Sequence, residues 1–345
     1  MKHFFTAMTK NTVSILQARS RLAVTLRHLS ALTLGNGPGK DITESPNAPK
    51  AEYTPVCVGQ KYTQQYKNYC VEDSNKIVSY FHDVPLGLDL ERSTATMVVE
   101  IPRWTNAKFE INTELPGNPI MQDVKKGKVR FVHNLFPYKG FLFNYGAFPQ
   151  TWEDPTVMHD VAGLPGDGDP VDVCEIGSAV LSTGTVKTVK ILGSLALVDD
   201  GELDWKVMVV DVNDPLAKVC SEIEDVLENC PGLLELTREW FRNYKLPEGK
   251  LQNKFAFDET YRGRKETIDV ILQCHGAWRR LIMGETAAKN FSTFNCTLDG
   301  SPNHVARFDF NDRVLGSELE PDAEIPAEVS RSHFFKPEFS SPQNE

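Results

Sequence analysis

Apolar positions fall into two regimes along the chain. Residues 97–101, 108–111, 129–132, 171–176, 186–198 and 204–212 are short β-branched or alternating runs separated by Gly, Pro and Asn, which predicts strands joined by turns. After Asp214 the spacing becomes helical. Asp214-Pro215 reads as an N-cap with proline in the first turn, opening a helix toward Glu228 with Leu216, Val219, Ile223 and Val226 on one stripe. Pro231 opens a second toward Tyr244, carrying Leu233, Leu236 and Trp240. A third spans residues 265–283, with Ile268, Ile271, Leu272, Trp278 and Ile282, and Gly284 stops it.

No internal repeat is found between residues 62 and 312. Strands followed by helices predict an α+β fold, a closed or nearly closed small barrel with helices against its outside. Beyond Gly284 the periodicity fades. Residues 285–345, rich in Pro, Ser, Asp and Glu, predict an extended tail that wraps a neighbouring surface and adds little core.

The beginning of the chain follows neither pattern. Met1 to Lys40 contains no Asp or Glu, while Lys2, Lys10, Arg19, Arg21, Arg27 and Lys40 lie among Ser, Thr and Leu. That composition predicts a mitochondrial transit peptide over residues 1–38 and a matrix location, with a Gly/Pro/Ser linker over residues 39–60. No run of about 18 apolar residues is present, so no transmembrane helix is expected.

Composition narrows the partners. With 345 residues, 41% hydrophobic, the chain is long enough for a substantial core. A formal charge of -10 argues against coating nucleic acid or an anionic membrane, and an anionic substrate would need locally focused Lys and Arg. The 7 cysteines form no C-x-x-C pair and read as reduced and packed.

Candidate chemistry centres on Asp167-Gly168-Asp169-Pro170-Val171-Asp172. Gly and Pro hold the three carboxylates in a loop, where they must crowd. Two carboxylates about 4 Å apart repel by roughly 4 kcal/mol at an effective dielectric near 20, so such a cluster takes up protons or a cation. Oxygen ligands without His or Cys favour Mg2+ or Mn2+ over Zn2+. An EF-hand is excluded, because Val171, Asp172 and Ser178 stand at its fifth, sixth and twelfth positions. A second acidic stretch runs from Asp199 through Glu202 to Asp204-Trp205-Lys206. Charges also sit where half-buried strands want few: Glu100, Lys108, Glu110 and Arg130. Tyr145, Tyr244 and Lys245 complete a set in which Asp167, Asp169, Asp172, Asp199, Asp204 and Glu110 bind divalent ions, while Lys108, Arg130, Tyr145, Lys206, Tyr244 and Lys245 hold a polyphosphate. Phosphoryl transfer to water needs both halves.

The blocks Glu100-Ile101-Pro102-Arg103-Trp104-Thr105-Asn106-Ala107-Lys108, Lys126-Gly127-Lys128-Val129-Arg130-Phe131-Val132, Asn144-Tyr145-Gly146-Ala147-Phe148-Pro149-Gln150-Thr151-Trp152, the aspartate loop and Asp204-Trp205-Lys206 closely resemble the soluble family I inorganic pyrophosphatases, in their eukaryotic branch. The resemblance runs from about residue 60 to 284, and with the basic leader it points to a mitochondrial member. It implies a small five-stranded OB-like β-barrel with flanking helices as the catalytic domain, residues 61–284, and a homodimer. The implied reaction hydrolyses pyrophosphate to two orthophosphates by attack of a water activated between Mg2+ ions, driving pyrophosphate-releasing biosynthesis. Asp167, Asp172 and Asp204 are similar to ligands of the activating metals, and Asp169 to the acid that takes the water's proton. Asp199 and Glu110 resemble ligands of the metals arriving with substrate. Lys108, Arg130, Tyr244 and Lys245 correspond to phosphate contacts and Lys206 to a cation beside the cluster, with Glu100 and Tyr145 in the same cavity and Asp123 nearby. Gly168 stands where many eukaryotic relatives have Asn, and Phe141 where many have Tyr. Two alternatives differ in class: a silent barrel acting as an interaction module, which should have lost carboxylates this chain keeps, and a hydrolase of nucleotides or longer polyphosphates.

Overall fold

The computed structural model describes residues 52–288 and 290–335; the leader expected over residues 1–38 lies outside them. Five strands dominate: β1 (Thr94–Ile101), β2 (Asn144–Ala147), β3 (Asp172–Glu175), β4 (Val186–Asp199) and β5 (Glu202–Asp211). Each pairs with two of the others. β1 joins β2 and β4, β2 joins β3, β3 runs parallel to β5, and β5 forms a hairpin with β4, so the pairings close on themselves. The fold is α+β.

Alternation along these strands feeds two apolar clusters. Met97, Val99, Val207 and Val209 enter one with Ile271 of the long helix, whereas Val98, Met208 and Val210 enter the other with Trp240 and Phe241. Both faces are thus covered, which is why residues 191–197 of β4 are all buried and apolar apart from Gly193 and Ser194. The β4–β5 turn is Asp200-Gly201, both at positive φ as a two-residue hairpin turn requires.

Helices contribute to both clusters. The helix predicted from Asp214 to Glu228 is interrupted: a single 3-10 turn at Pro215–Lys218 precedes α1 (Ile223–Asn229). Lys190 Nζ takes the carbonyls of Ala217 and Cys220 at 2.5 and 3.1 Å, and Asp225 caps the restart by accepting from Ser221 and Glu222 N–H. α2 (Leu233–Asn243) and α3 (Arg264–Ile282) form where expected, with Gly284 at φ 73 just past the end, but Leu236, expected on the apolar stripe of α2, is exposed and Leu234 is buried instead.

Two expectations need correction. Tyr53–Val58, placed in a linker, is a strand paired with Lys67–Glu72 in a smaller sheet that also holds Phe109–Ile111. Residues 290–335 do add core. Cys296, Leu298, Phe308 and Val314 are buried, and α4 (Asn311–Leu315) presents Asn311 Oδ1 to Ile77 N at 2.7 Å. Short irregular stretches each anchored by one or two apolar side chains leave no periodicity to read. This segment, a strap over residues 290–335, includes the short strand Ser332–His333, parallel to Asn134–Leu135.

Candidate active site

Register places the charged side chains. Asp172 lies opposite Lys206 in the parallel β3–β5 pair, and Asp204, two residues before Lys206, shares its face. Tyr145 pairs with Cys174, so its ring shares a face with Asp172. Tyr145 and Lys206 both donate to Asp172 Oδ2, and Lys206 Nζ lies 3.0 Å from the tyrosine oxygen. This face continues Met208 and Val210, so the apolar core ends in a polar cleft.

The cleft has a volume of about 130 Å³. Its lining brings together every residue singled out for binding or catalysis: Glu110, Asp167, Asp169, Asp172, Asp199 and Asp204 as carboxylates, and Lys108, Arg130, Tyr145, Lys206, Tyr244 and Lys245 among them, with Glu100 also in the lining. Lys108 contacts Glu110, and Lys245 holds Asp199 through both of its oxygens. The strand expected over residues 129–132 is shorter, Lys128–Val129, and Arg130 leaves it. Its guanidinium meets Asp123 and Glu248, each at 3.1 Å. Asp123, a peripheral candidate, stands behind the cleft lining.

Glu153 was missed by the sequence reading. It directly follows Trp152, and no spacing marks it as part of the site. It is buried, and its Oε2 has no hydrogen-bond partner. Glu153, Asp167 and Asp204 bring carboxylate oxygens within 4.8 Å of one another. The Glu153 backbone also clasps the aspartate loop, its N–H donating to Asp169 O and its C=O accepting from Gly168 N, both at 2.9 Å. A Cβ on Gly166 would lie 2.4 Å from Glu153 O, so this approach requires glycine.

The electrostatics follow from the crowding. Burial, then Asp204 and Asp169, push the Asp167 carboxyl well above the carboxylate range. Burial, then Asp167, does the same to Glu153. Asp204 is pushed up to about 7 by burial, with Lys206 opposing and Asp172 adding. Asp169 is pushed up to about 7 by the groups crowded round its carboxyl and the charge of Glu110, although the residue as a whole is exposed to solvent. Burial works against the Lys206 ammonium, but Asp172 and Asp204 outweigh it and hold its pKa well above normal. An oxygen-only donor set, too negative to ionise fully and with one buried carboxylate oxygen unpartnered, fits a hard divalent cation.

A cluster of carboxylates facing Lys, Arg and Tyr defines a metal-assisted phosphohydrolase site. The chain belongs to the inorganic pyrophosphatase family: residues 97–279 match the family model described as inorganic pyrophosphatase, and relatives match over far more of it. The mitochondrial inorganic pyrophosphatase of Saccharomyces cerevisiae is 49% identical over 82% of this chain and 89% of its own. The solved inorganic pyrophosphatase of Schistosoma japonicum is 41% identical, covers 82% of this chain and 100% of its own, and superposes with a TM-score of 0.76. A truncated vacuolar soluble pyrophosphatase of Trypanosoma cruzi, solved in complex with pyrophosphate, is 34% identical over 72% of this chain and 99% of its own, at a TM-score of 0.63.

Proposed function

We propose that the chain is a Mg2+-dependent inorganic diphosphatase that hydrolyses pyrophosphate to two orthophosphates in the mitochondrial matrix, removing the product of pyrophosphate-releasing syntheses. The observation that carries this reading is one small cleft in which seven carboxylates gather with the cations of Lys108, Arg130, Lys206 and Lys245. About 130 Å³ suits a small, highly charged anion better than a nucleotide.

In this reading Asp167, Asp172 and Asp204 hold the activating metals, and Asp199 and Glu110 those that accompany substrate. Bound Mg2+ neutralises phosphate oxygens and acidifies water. Lys108, Arg130, Tyr244 and Lys245 orient the two phosphoryl groups. Lys206 and Tyr145 fix Asp172 through the bonds described above. Asp169 takes the proton of the water whose oxygen attacks phosphorus as the bridging P–O bond breaks. The five-strand ring is read as a small OB-like barrel.

Mitochondrial placement is supported by the mitochondrial relative and the acid-free leader, and among the described residues no helix is long and apolar enough to cross a membrane. A homodimer rests on the family resemblance and is checked by sedimentation velocity. The substrate assignment is tested by comparing phosphate release from pyrophosphate, tripolyphosphate and ATP with Mg2+. Pyrophosphate should be preferred by at least about a hundredfold in kcat/KM; equal turnover of ATP would overturn it.

A further inference from the structure

Glu248 does not line the cleft, yet it holds one of the cleft's cations, Arg130, together with Lys125 from outside it. Its Oε1 accepts from one terminal nitrogen of Arg130 at 3.1 Å, and its Oε2 from Lys125. Asp123 Oδ2 accepts from the other terminal nitrogen of Arg130 at 3.1 Å. A guanidinium carries five N–H groups in a rigid plane. Two are thus held by carboxylates behind the cleft, and Nε, buried, has no protein partner.

The second link runs through the backbone. Glu248 ends the single 3-10 turn Leu246–Glu248, whose N-cap is Lys245, and Glu248 N donates to Lys245 O at 3.0 Å. Lys125 belongs to the hairpin Val124–Lys125 with Lys128–Val129, which leads directly into Arg130. One side chain therefore ties the segment carrying Arg130 to the turn carrying Lys245.

We propose that Glu248 is a positioning residue for pyrophosphate binding, clamping the Arg130 guanidinium from behind so that its remaining N–H groups serve a phosphate, and coupling Arg130 to Lys245. This rests on the reading of Arg130 and Lys245 as phosphate contacts. Two opposed outcomes separate positioning from mere charge. Without a positioning role, deleting an anion beside a phosphate site relieves repulsion and lowers KM. With one, it frees the guanidinium and raises KM, because an ordered bidentate fork is lost.

The test is steady-state kinetics of the full chain with Mg2+ and pyrophosphate, alongside thermal melting. Glu248→Ala should raise KM about tenfold with kcat within about threefold. Glu248→Gln, which keeps an acceptor for Arg130 but loses Lys125, should fall between, and Lys125→Met should move KM in the same direction by less. Arg130→Ala and the Arg130→Ala/Glu248→Ala double variant should share one KM, since the clamp has nothing left to hold. A folded Glu248→Ala with KM unchanged or lowered, or effects that multiply in the double variant, would overturn the inference. Should Glu248→Ala fail to fold, Glu248→Gln and Lys125→Met decide it, and wild-type KM in both would overturn it. An unchanged KM in Arg130→Ala would instead sink the phosphate-contact reading and this inference together.

Discussion

Lys206 Nζ lies 2.5 Å from both carboxylate oxygens of Asp204, and the same ammonium bonds Asp172. A buried lysine at the centre of an acidic cluster acts as a resident cation. Lys206→Met leaves Asp172 and Asp204 without it, and breaking a buried pair on one side costs about 3–5 kcal/mol. The metal-free variant should melt well below wild type, and Mg2+ should recover more of the difference than it adds to wild type. Equal losses with and without Mg2+ would point to a packing role.

Raised carboxyl pKa values have a signed consequence. Asp169 and Asp204 titrate near 7 in the folded chain against 3.8 ordinarily, so each contributes stability that is complete below about pH 4 and is lost as pH rises through 7. The metal-free Tm should fall from pH 5 to 8, and the increase in Tm on adding Mg2+ should grow over the same interval. Calorimetry with EDTA and with Mg2+ reads both. A Mg2+ effect independent of pH would contradict the crowding described here.

The strap is anchored by Asp83, whose Oδ1 accepts from Cys296 N, Thr297 N and Thr297 Oγ1, at 2.7, 2.9 and 2.8 Å. Ser79 N donates to its Oδ2 at 2.7 Å. All these partners are donors, so Asp83→Asn turns an amide N–H₂ toward a donor. A loss of about 1–3 kcal/mol is expected, with faster amide exchange at Cys296 and Thr297 than in the five-strand ring. Wild-type exchange at these amides would show that the strap is held elsewhere.

Lys245 bonds Asp199 across the cleft. Lys245→Ala should raise KM for pyrophosphate by about ten- to a hundredfold while leaving the Mg2+ concentration for half-activation within about threefold. A larger change in Mg2+ requirement than in KM would reassign it to metal binding.

Much of this was legible in the sequence because strand register does the positioning. Asp204 and Lys206 share a face at a separation of two, and the Gly- and Pro-bounded aspartate loop had to crowd its carboxylates. Three features were not legible. Glu153 acts through backbone bonds to Gly168 and Asp169 and an approach that only Gly166 permits. The break after Lys218 depends on Lys190, distant in sequence, taking the carbonyls a continuous helix would have used. The buried strap has no period, since Cys296, Leu298, Phe308 and Val314 reach the same apolar cluster at irregular intervals along the chain. Phe141, one of the departures from the family pattern, packs 5.1 Å from Tyr145 between ring centroids. Its missing hydroxyl therefore bears on the environment of Tyr145 and on no ligand directly.

The most direct measurement is phosphate release from pyrophosphate by protein beginning near residue 45, with and without Mg2+, beside Asp169→Asn. Rapid release that requires Mg2+ and falls about 10²–10⁴-fold in the variant, with no loss of Tm, is the predicted result. No release with any divalent metal, or an Asp169→Asn variant as active as wild type, would contradict the assignment of this cleft.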